Sequence, residues 1–338
     1  MDFKKGERVM KKQFLRWMMV LFLVSIYGGM VHAAPVKIRM GWGIPAEEVK
    51  YVMMKRPQIL KHYGKVYTLE WFQFAGTAPQ ATALATGGLD AATLASLSLA
   101  ESIDKVGLDV KVTGGIIMEV SPNFTSTWLV LDNSGINTVK DLKGKSIGVN
   151  VYGASLDHIQ RAILRRGGLD PEKDVKILEI AFGLMEATLR RGDIQCGAFP
   201  QPFLFRAMEK GGVKPLFRLG DIQPRFVQLI NVFQTKFIEK NPEVVRAFLE
   251  DWKIASKYIQ ENPEEVRKIT SEVTKLPIDL LNKFLLTKDD FYHDPIGEPD
   301  FETMQNNWDF FYESAKAISK RLDVKNYYLP NFLPSAVP

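Results

Sequence analysis

Few residues of this 338-residue chain have the types and spacing that chemistry at a substrate requires. Beyond residue 33 there are three histidines, His62, His158 and His293, and none has the spacing of a metal ligand set. No serine sits in a nucleophile elbow, and neither a Walker loop nor a dinucleotide glycine fingerprint is present. The single cysteine, Cys196, lies in the run Ile194-Gln195-Cys196-Gly197-Ala198 and reads as a small buried apolar group. Paired acids (Glu47/Glu48, Asp289/Asp290, Glu264/Glu265) fall at helix starts or in loops, where solvation or compensation of the helix dipole is the default role. The sequence therefore offers no catalytic residue and no metal site, and it asks for no cofactor.

It does offer corners that could hold a ligand. In an open α/β sheet, ligands bind beyond the carboxyl ends of the strands, where helix N-termini aim donors and positive dipole ends at them. Gly41-Trp42-Gly43 follows the first strand; its glycines permit close backbone approach, and Trp42 either offers a flat face to a ligand or packs in a structural turn. Ala75-Gly76-Thr77 precedes a helix, and Thr77 is either a ligand contact or an N-cap. Asn150-Val151-Tyr152-Gly153-Ala154-Ser155 joins a strand to a helix. Gly153 frees backbone N–H groups and Ser155 adds a hydroxyl, a combination suited to an oxyanion, although Ser155 also reads as a cap.

The elements that position these corners alternate as in an α/β fold. Strands are expected over 36–40, 66–74, 89–95, 110–112 and 127–131, with helices over 46–62, 78–86 and 97–106. A second cycle follows, with a short helix over 139–142, strands over 146–149, 175–180 and 194–199, helices over 156–166, 184–191 and 203–210, and a later strand over 229–234. Beyond Lys236 the chain reads as helical, Asn241-Pro242 and Asn262-Pro263 each supplying an N-cap followed by Pro at the first helical position. Trp308, Phe310, Phe311 and Tyr312 share an amphipathic helix and read as core, and the tail from Tyr327 reads as extended. Leu84-Ala85-Thr86-Gly87-Gly88-Leu89-Asp90 and Leu189-Arg190-Arg191-Gly192-Asp193-Ile194-Gln195, 105 residues apart, both read helix, glycine stop, strand. This echo is either chance or one β-α-β plan used twice.

Disorder is excluded by 21 Phe, 10 Tyr and 6 Trp, and one cysteine excludes a disulfide framework. The net charge of +5 is concentrated at the start. Lys4, Lys5, Arg8, Lys11, Lys12 and Arg16 precede an apolar run over 17–27 and a small-residue exit at Val31-His32-Ala33, the pattern of a signal peptide cleaved after Ala33. Met10 is an alternative start, and an uncleaved anchor is the alternative to cleavage. Removing residues 1–33 removes six basic and two acidic side chains, which leaves a net charge of +1 and no support for nucleic-acid binding. No cysteine near the cleavage point is available for a lipid anchor, so the expected product is a free periplasmic protein.

Taken with these corners, the chain resembles the solute-binding proteins of ABC importers, and more narrowly the nitrate/sulfonate/taurine and thiamine-pyrimidine-precursor-binding family. The resemblance spans nearly all of 36–262. It is strongest over Val139-Lys140-Asp141-Leu142-Lys143-Gly144-Lys145-Ser146-Ile147-Gly148-Val149, and continues at Phe74-Ala75-Gly76 and Gly153-Ala154-Ser155. At Pro200-Gln201-Pro202-Phe203, Pro202 and Phe203 match the family pattern, whereas Gln201 replaces an acid and Ala154 replaces a hydroxyl residue. The resemblance implies an α/β, two-lobe type II periplasmic binding fold, each lobe a mixed sheet flanked by helices, with a helical C-terminal extension. Lobe one would comprise 34–126 with 232–338, and lobe two 127–231, hinged near 127–131 and 229–234.

The implied function is capture of a small polar or anionic organic molecule in the interlobe cleft and its delivery to an ABC transporter permease, by a monomer. Expected ligand contacts are Trp42, Gly76, Thr77, Ser96, Tyr152, Gly153, Ser155, Phe182 and Gln201. Trp42, Tyr152 and Phe182 would form apolar walls; Ser96, which follows the strand ending at residue 95, contacts the ligand or caps the next helix. Two alternatives share the fold: an enzyme of lyase or desulfinase type, and a ligand-sensing module feeding a membrane receptor.

Overall fold

A computed structural model describes residues 34–43, 46–123 and 125–329. The expected signal peptide over 1–33 and the end of the tail lie outside these. Strand and helix alternate from the start as β1 (Val36–Trp42), α1 (Glu48–Lys55), β2 (Tyr67–Gln73), α2 (Thr77–Ala85), β3 (Ala91–Ala95), α3 (Ser96–Val106) and β4 (Val110–Val120). The cycle then repeats through β5 (Thr127–Leu131), β6 (Ser146–Val149), α4 (Ser155–Arg166), β7 (Lys176–Glu179), α5 (Phe182–Arg191), β8 (Cys196–Phe199), α6 (Phe203–Glu209) and β9 (Val213–Arg218). Strand β10 (Arg225–Gln234) leads into helices α7 (Thr235–Lys240), α8 (Pro242–Glu261), α9 (Pro263–Thr274), α10 (Ile278–Phe284) and α11 (Phe301–Glu313). None of the described helices is long and apolar enough to cross a membrane.

The strands form two five-stranded sheets of matching plan. In the first, ordered β2-β1-β3-β10-β4, β1 runs parallel to β2 and β3, and β10 is antiparallel to β4 along its whole length and to β3 over Leu229–Phe233. In the second, ordered β7-β6-β8-β5-β9, β6 runs parallel to β7 and β8, and β5 is antiparallel to β8 and β9. The joints after α2 and after α5 thus occupy equivalent places, so the repeated helix–glycine–strand pattern marks one plan used twice. Each parallel neighbour needs a helical crossover, which is why every parallel strand is followed by a helix.

Four local expectations need correction. The helix expected over 46–62 stops at Lys55, because Pro57 pushes Arg56 out of the helical region (φ −131°, ψ 48°) and starts a short 3₁₀ turn. Strand β4 is far longer than 110–112; Gly114-Gly115 breaks its apolar pattern in the sequence, but a Cβ at these positions would meet the Trp252 ring at 2.7 Å and the Glu298 carbonyl at 2.6 Å, so close packing requires glycine at both. Strand β9 escaped the sequence reading because Pro215 and its charged neighbours look like a loop; it is an edge strand, where proline is tolerated. Asn241 and Asn262 do not cap the helices they precede. Their Nδ2 groups donate back to the carbonyls of Phe237 and Tyr258, at 3.2 and 3.1 Å, and so close the preceding helix, while Pro242 and Pro263 take the first helical position as expected.

The C-terminal helices pack on the first sheet. Val245, Phe248, Leu249, Trp252, Ala255 and Ile259 of α8 join Ile38, Met40, Val52 and Phe233 in one core. Trp308 and Phe311 of α11 are fully buried and Phe310 nearly so, as the sequence pattern anticipates. On the same α8 face Asp251 is fully buried, accepting from the backbone N–H groups of Lys61 (2.7 Å), His62 (3.1 Å) and Tyr63 (3.1 Å) and from the Tyr67 hydroxyl (2.8 Å).

Candidate ligand-binding site

A cavity of about 300 Å³ opens where the carboxyl ends of the parallel strands of both sheets meet. Each parallel strand delivers the start of a helix to it: Ala46 just before α1, Thr77 at α2, Leu97 and Ser98 at α3, Ser155 and Leu156 at α4, Phe182 at α5 and Phe203 at α6. None of α2, α3, α4 and α5 carries a side-chain cap on its first-turn N–H groups. Apart from the Leu184 N–H of α5, which donates to the Ala181 carbonyl at 2.8 Å, and Pro79 of α2, which has none, those donors and their positive dipole ends are available to an anion at the cavity. The walls are mostly apolar: Phe182 and Phe203 stack at 5.5 Å with planes 27° apart, and Leu97, Leu156, Ile117 and Phe291 complete the lining. Among the described residues the one ionisable lining side chain is Glu101, which pairs with Lys105 at 2.8 Å.

Of the expected contacts, Thr77, Ser155, Phe182 and Gln201 line this cavity. Thr77 Oγ1 and Ser98 Oγ are 2.8 Å apart. Gln201 is already spent on internal bonds: its Nε2 donates to the Asp289 carbonyl at 2.8 Å and its Oε1 accepts from the Phe205 N–H at 3.1 Å, tying the start of α6 to the C-terminal region.

The other expected contacts lie off the lining. Trp42 packs edge-on against Tyr51 (6.0 Å, 80°) in the first sheet's core. Ser96 is buried with its hydroxyl unpartnered, and its carbonyl accepts from Trp308 Nε1 at 3.2 Å. Tyr152 is half exposed, its hydroxyl donating to the Ile177 carbonyl at 2.9 Å. Gly153 does sit in the left-handed region (φ 74°), but its N–H donates to Asp157 Oδ2 at 2.9 Å and is not free for a ligand. Gly76 is extended, with open space around it, directly before Thr77.

Of the floor of the cavity, sequence reasoning singled out only Asn150, which directly follows β6 with its Oδ1 buried and unpartnered. Ser126 comes from the crossing between β4 and β5, and Gln228 and Leu229 lie early in β10, just after the chain crosses back. Behind them lies Glu119, fully buried. Burial pushes its carboxyl above the usual carboxylate range, an effect opposed by hydrogen bonds from Ser126, Gln228 and Thr125. The only sequence signal was proximity: Ser126 directly precedes an expected strand, and so does Gln228.

The paired acids also need correction, because Glu47, Glu48 and Asp290 are buried. Lys50 donates to Gly41 O (2.8 Å) and Thr93 Oγ1 (2.7 Å), and Thr93 in turn donates to Glu47 Oε2 (2.5 Å). Burial lowers Lys50 to about 8. Burial raises Glu48 from 4.5 to about 7, with one carboxylate oxygen unpartnered. His293 contacts Asp290 at 3.3 Å; burial works against its cation, but Asp290 and then Glu48 outweigh this and raise its pKa.

Glu48 and His293 thus bind protons more tightly folded than unfolded, so stability falls as pH rises through these values. From pH 5 to pH 8 the unfolding free energy is expected to drop by on the order of 3 kcal/mol through Glu48. Urea midpoints of Glu48→Gln should flatten most of that slope; a slope like that of the unmodified protein would remove Glu48 as its source.

Neither Cys196 nor His158 lines the cavity. Cys196 is fully buried in β8 and burial pushes its thiol pKa far up. Burial lowers His158, favouring its neutral form. Among the described residues no group of three or more His, Cys, Asp or Glu is placed to hold a metal ion.

The sequence and the fold find matches among known proteins. The model of the NMT1-like family matches residues 32–274, and the chain belongs to that family. A relative from Escherichia coli (strain K12), named as an aliphatic sulfonates-binding protein, is 22% identical over 90% of this chain and 92% of its own length. Another from Bacillus subtilis (strain 168), named in the same way, is 26% identical over 80% of this chain and 78% of its own. Among solved structures, the periplasmic aliphatic sulphonate binding protein SsuA from Escherichia coli superposes with a TM-score of 0.72 at 20% identity, covering 88% of this chain and 92% of that one. The architecture is that of a type II periplasmic binding protein.

Proposed function

We propose that this protein is the extracytoplasmic solute-binding component of an ABC importer and that it holds a small organic anion in the cleft between its sheets. The observation that carries the reading is the convergence of uncapped helix starts from both sheets on one largely apolar cavity. These starts supply N–H donors and dipole ends for an anionic head without an arginine or lysine in the lining, and the Phe182–Phe203 stack with Phe291 suits an apolar body. The sulfonate-binding names of both relatives, each matched over most of its length, support the same chemistry.

On this reading the two lobes, one built on each sheet, close about the ligand by bending where the chain crosses between the sheets, from β4 to β5 and from β9 to β10, and the closed form docks on a membrane permease. Contacts from both sides of the cavity give the closed state the differential affinity that closure requires. The leader over 1–33 would be removed after Ala33 on export, leaving a free periplasmic monomer.

Thermal unfolding with benzenesulfonate, benzoate, taurine and nitrate tests the reading. An organic anion with an apolar body should raise the melting temperature, because a ligand at 100 times its Kd adds about 2.7 kcal/mol to stability. Nitrate, too small to fill the cavity, should not. If a broad set of small organic anions gave no shift on folded protein, the reading would be abandoned.

A further inference from the structure

The polar groups on the cavity floor share one buried carboxylate, and that carboxylate decides what they leave for a ligand. Glu119 Oε2 accepts from the backbone N–H groups of Thr125 and Ser126, both at 3.1 Å. Its Oε1 accepts from the Ser126 hydroxyl at 2.5 Å, the Gln228 Nε2 at 2.8 Å and, more weakly, the Thr125 hydroxyl at 3.4 Å. Five donors on two oxygens are a set that the ionised, acceptor-only carboxylate satisfies. A carboxylate has no proton to give, so the edge of the Gln228 amide turned toward it is the NH2, and Oε1 is turned away. Ser126 likewise gives its proton to Glu119, and its oxygen accepts a long bond from Gln228 Nε2 at 3.5 Å, which leaves it one further lone pair.

The backbone arranges this deliberately placed amide. The pairing of β10 with β4 slips between Val227 and Leu229, so Gln228 is the extra residue of a bulge, a device that re-aims a side chain. Gln228 and Ser126 both line the cavity, and Asn150 adds an amide oxygen that is buried and unpartnered. Donors come from the helix starts, and acceptors come from the floor.

We propose that Glu119 sets ligand specificity as a positioning residue: by taking the protons of Gln228 and Ser126 it presents acceptors to the cleft, so the ligand is an organic anion that also carries an N–H or O–H donor on its body. This rests on the cleft being an organic-anion site. A ligand without the donor leaves the Gln228 and Asn150 oxygens desolvated and unpaired, and that penalty discriminates more sharply than the gain of one hydrogen bond.

Calorimetric titration of the full chain with toluene-4-sulfonate, 4-hydroxybenzenesulfonate and 4-aminobenzenesulfonate, and with the corresponding three benzoates, tests it. The hydroxy and amino members should bind about tenfold more tightly than the methyl member. Gln228→Met removes the acceptor while Glu119 keeps its Thr125 and Ser126 donors; the preference should shrink to about twofold or less, mainly because the methyl compound no longer strands that oxygen and binds more tightly. Glu119→Gln places an NH2 against Gln228, turning that amide over, and should also erase the preference. Should Glu119→Gln fail to fold, Gln228→Met decides alone. Equal affinity across a series in the unmodified protein, or a preference unchanged in Gln228→Met, overturns the inference and leaves the anion site standing. Binding of no member of either series overturns the anion site itself, and the inference with it.

Discussion

Asp251→Ala is expected to lower the unfolding free energy by about 4 kcal/mol, the size seen when one partner of a buried charged network is removed. The carboxylate on α8 gathers three consecutive backbone N–H groups, those of Lys61, His62 and Tyr63, together with the Tyr67 hydroxyl. Burial, and after it the Asp251 charge, raise the Tyr67 pKa and keep its phenol a donor. Alanine leaves these donors without an acceptor at the point where the turn enters β2, and each buried unpaired donor costs about 1–3 kcal/mol. Asp251→Asn retains one acceptor oxygen and should cost roughly half as much. Urea unfolding at fixed pH measures both. An alanine variant within about 0.5 kcal/mol of the unmodified protein, the range of ordinary surface changes, would sink the account.

Ser155→Trp is expected to abolish ligand binding while the unliganded protein stays folded. Ser155 opens α4, is half-buried, lines the cavity and makes no side-chain hydrogen bond among the described residues, so its loss breaks nothing internal. An indole projecting into a cavity of about 300 Å³ takes up much of the space a ligand would need. The stabilisation of about 2.7 kcal/mol at 100 times Kd should vanish in Ser155→Trp. It should persist in Tyr152→Ala, because the Tyr152 phenol is bonded to Ile177 away from the lining. Thermal shifts of the two variants with one common ligand separate these outcomes. A full shift in Ser155→Trp would place the ligand elsewhere.

The alternation of strand and helix was legible because local signals agree with the tertiary structure: glycine stops after α2 and α5, proline starts at α8 and α9, and β5 and β6 fall where their apolar runs predict. The site was legible only where it coincides with helix starts. Thr77, Ser155 and Phe182 were found because a ligand corner follows a parallel strand, a rule of topology. Glu119, Ser126 and Gln228 were not found, because their importance comes from two chain crossings about a hundred residues apart in sequence being brought side by side. Trp42 and Tyr152 lie off the lining: an aromatic next to a glycine looks like a ligand wall, yet one packs against Tyr51 and the other donates to a backbone carbonyl. Glu47 and Glu48 read as solvated acids because no local pattern announces Lys50 and His293 as buried neighbours.

Strand β10 lies between β3 and β4, although the whole of the second sheet is synthesised before it. During synthesis or passage through a membrane, β3 and β4 have no shared partner until residue 234 has emerged, and the α8 helix that covers them comes later still. Pairings of such long sequence separation form late, since loop closure must precede any gain from them. The second sheet, contiguous in sequence, can form first. A chain built in this order keeps its amino-terminal half open and threadable for as long as its carboxyl-terminal half is missing, an order that would suit the export proposed above.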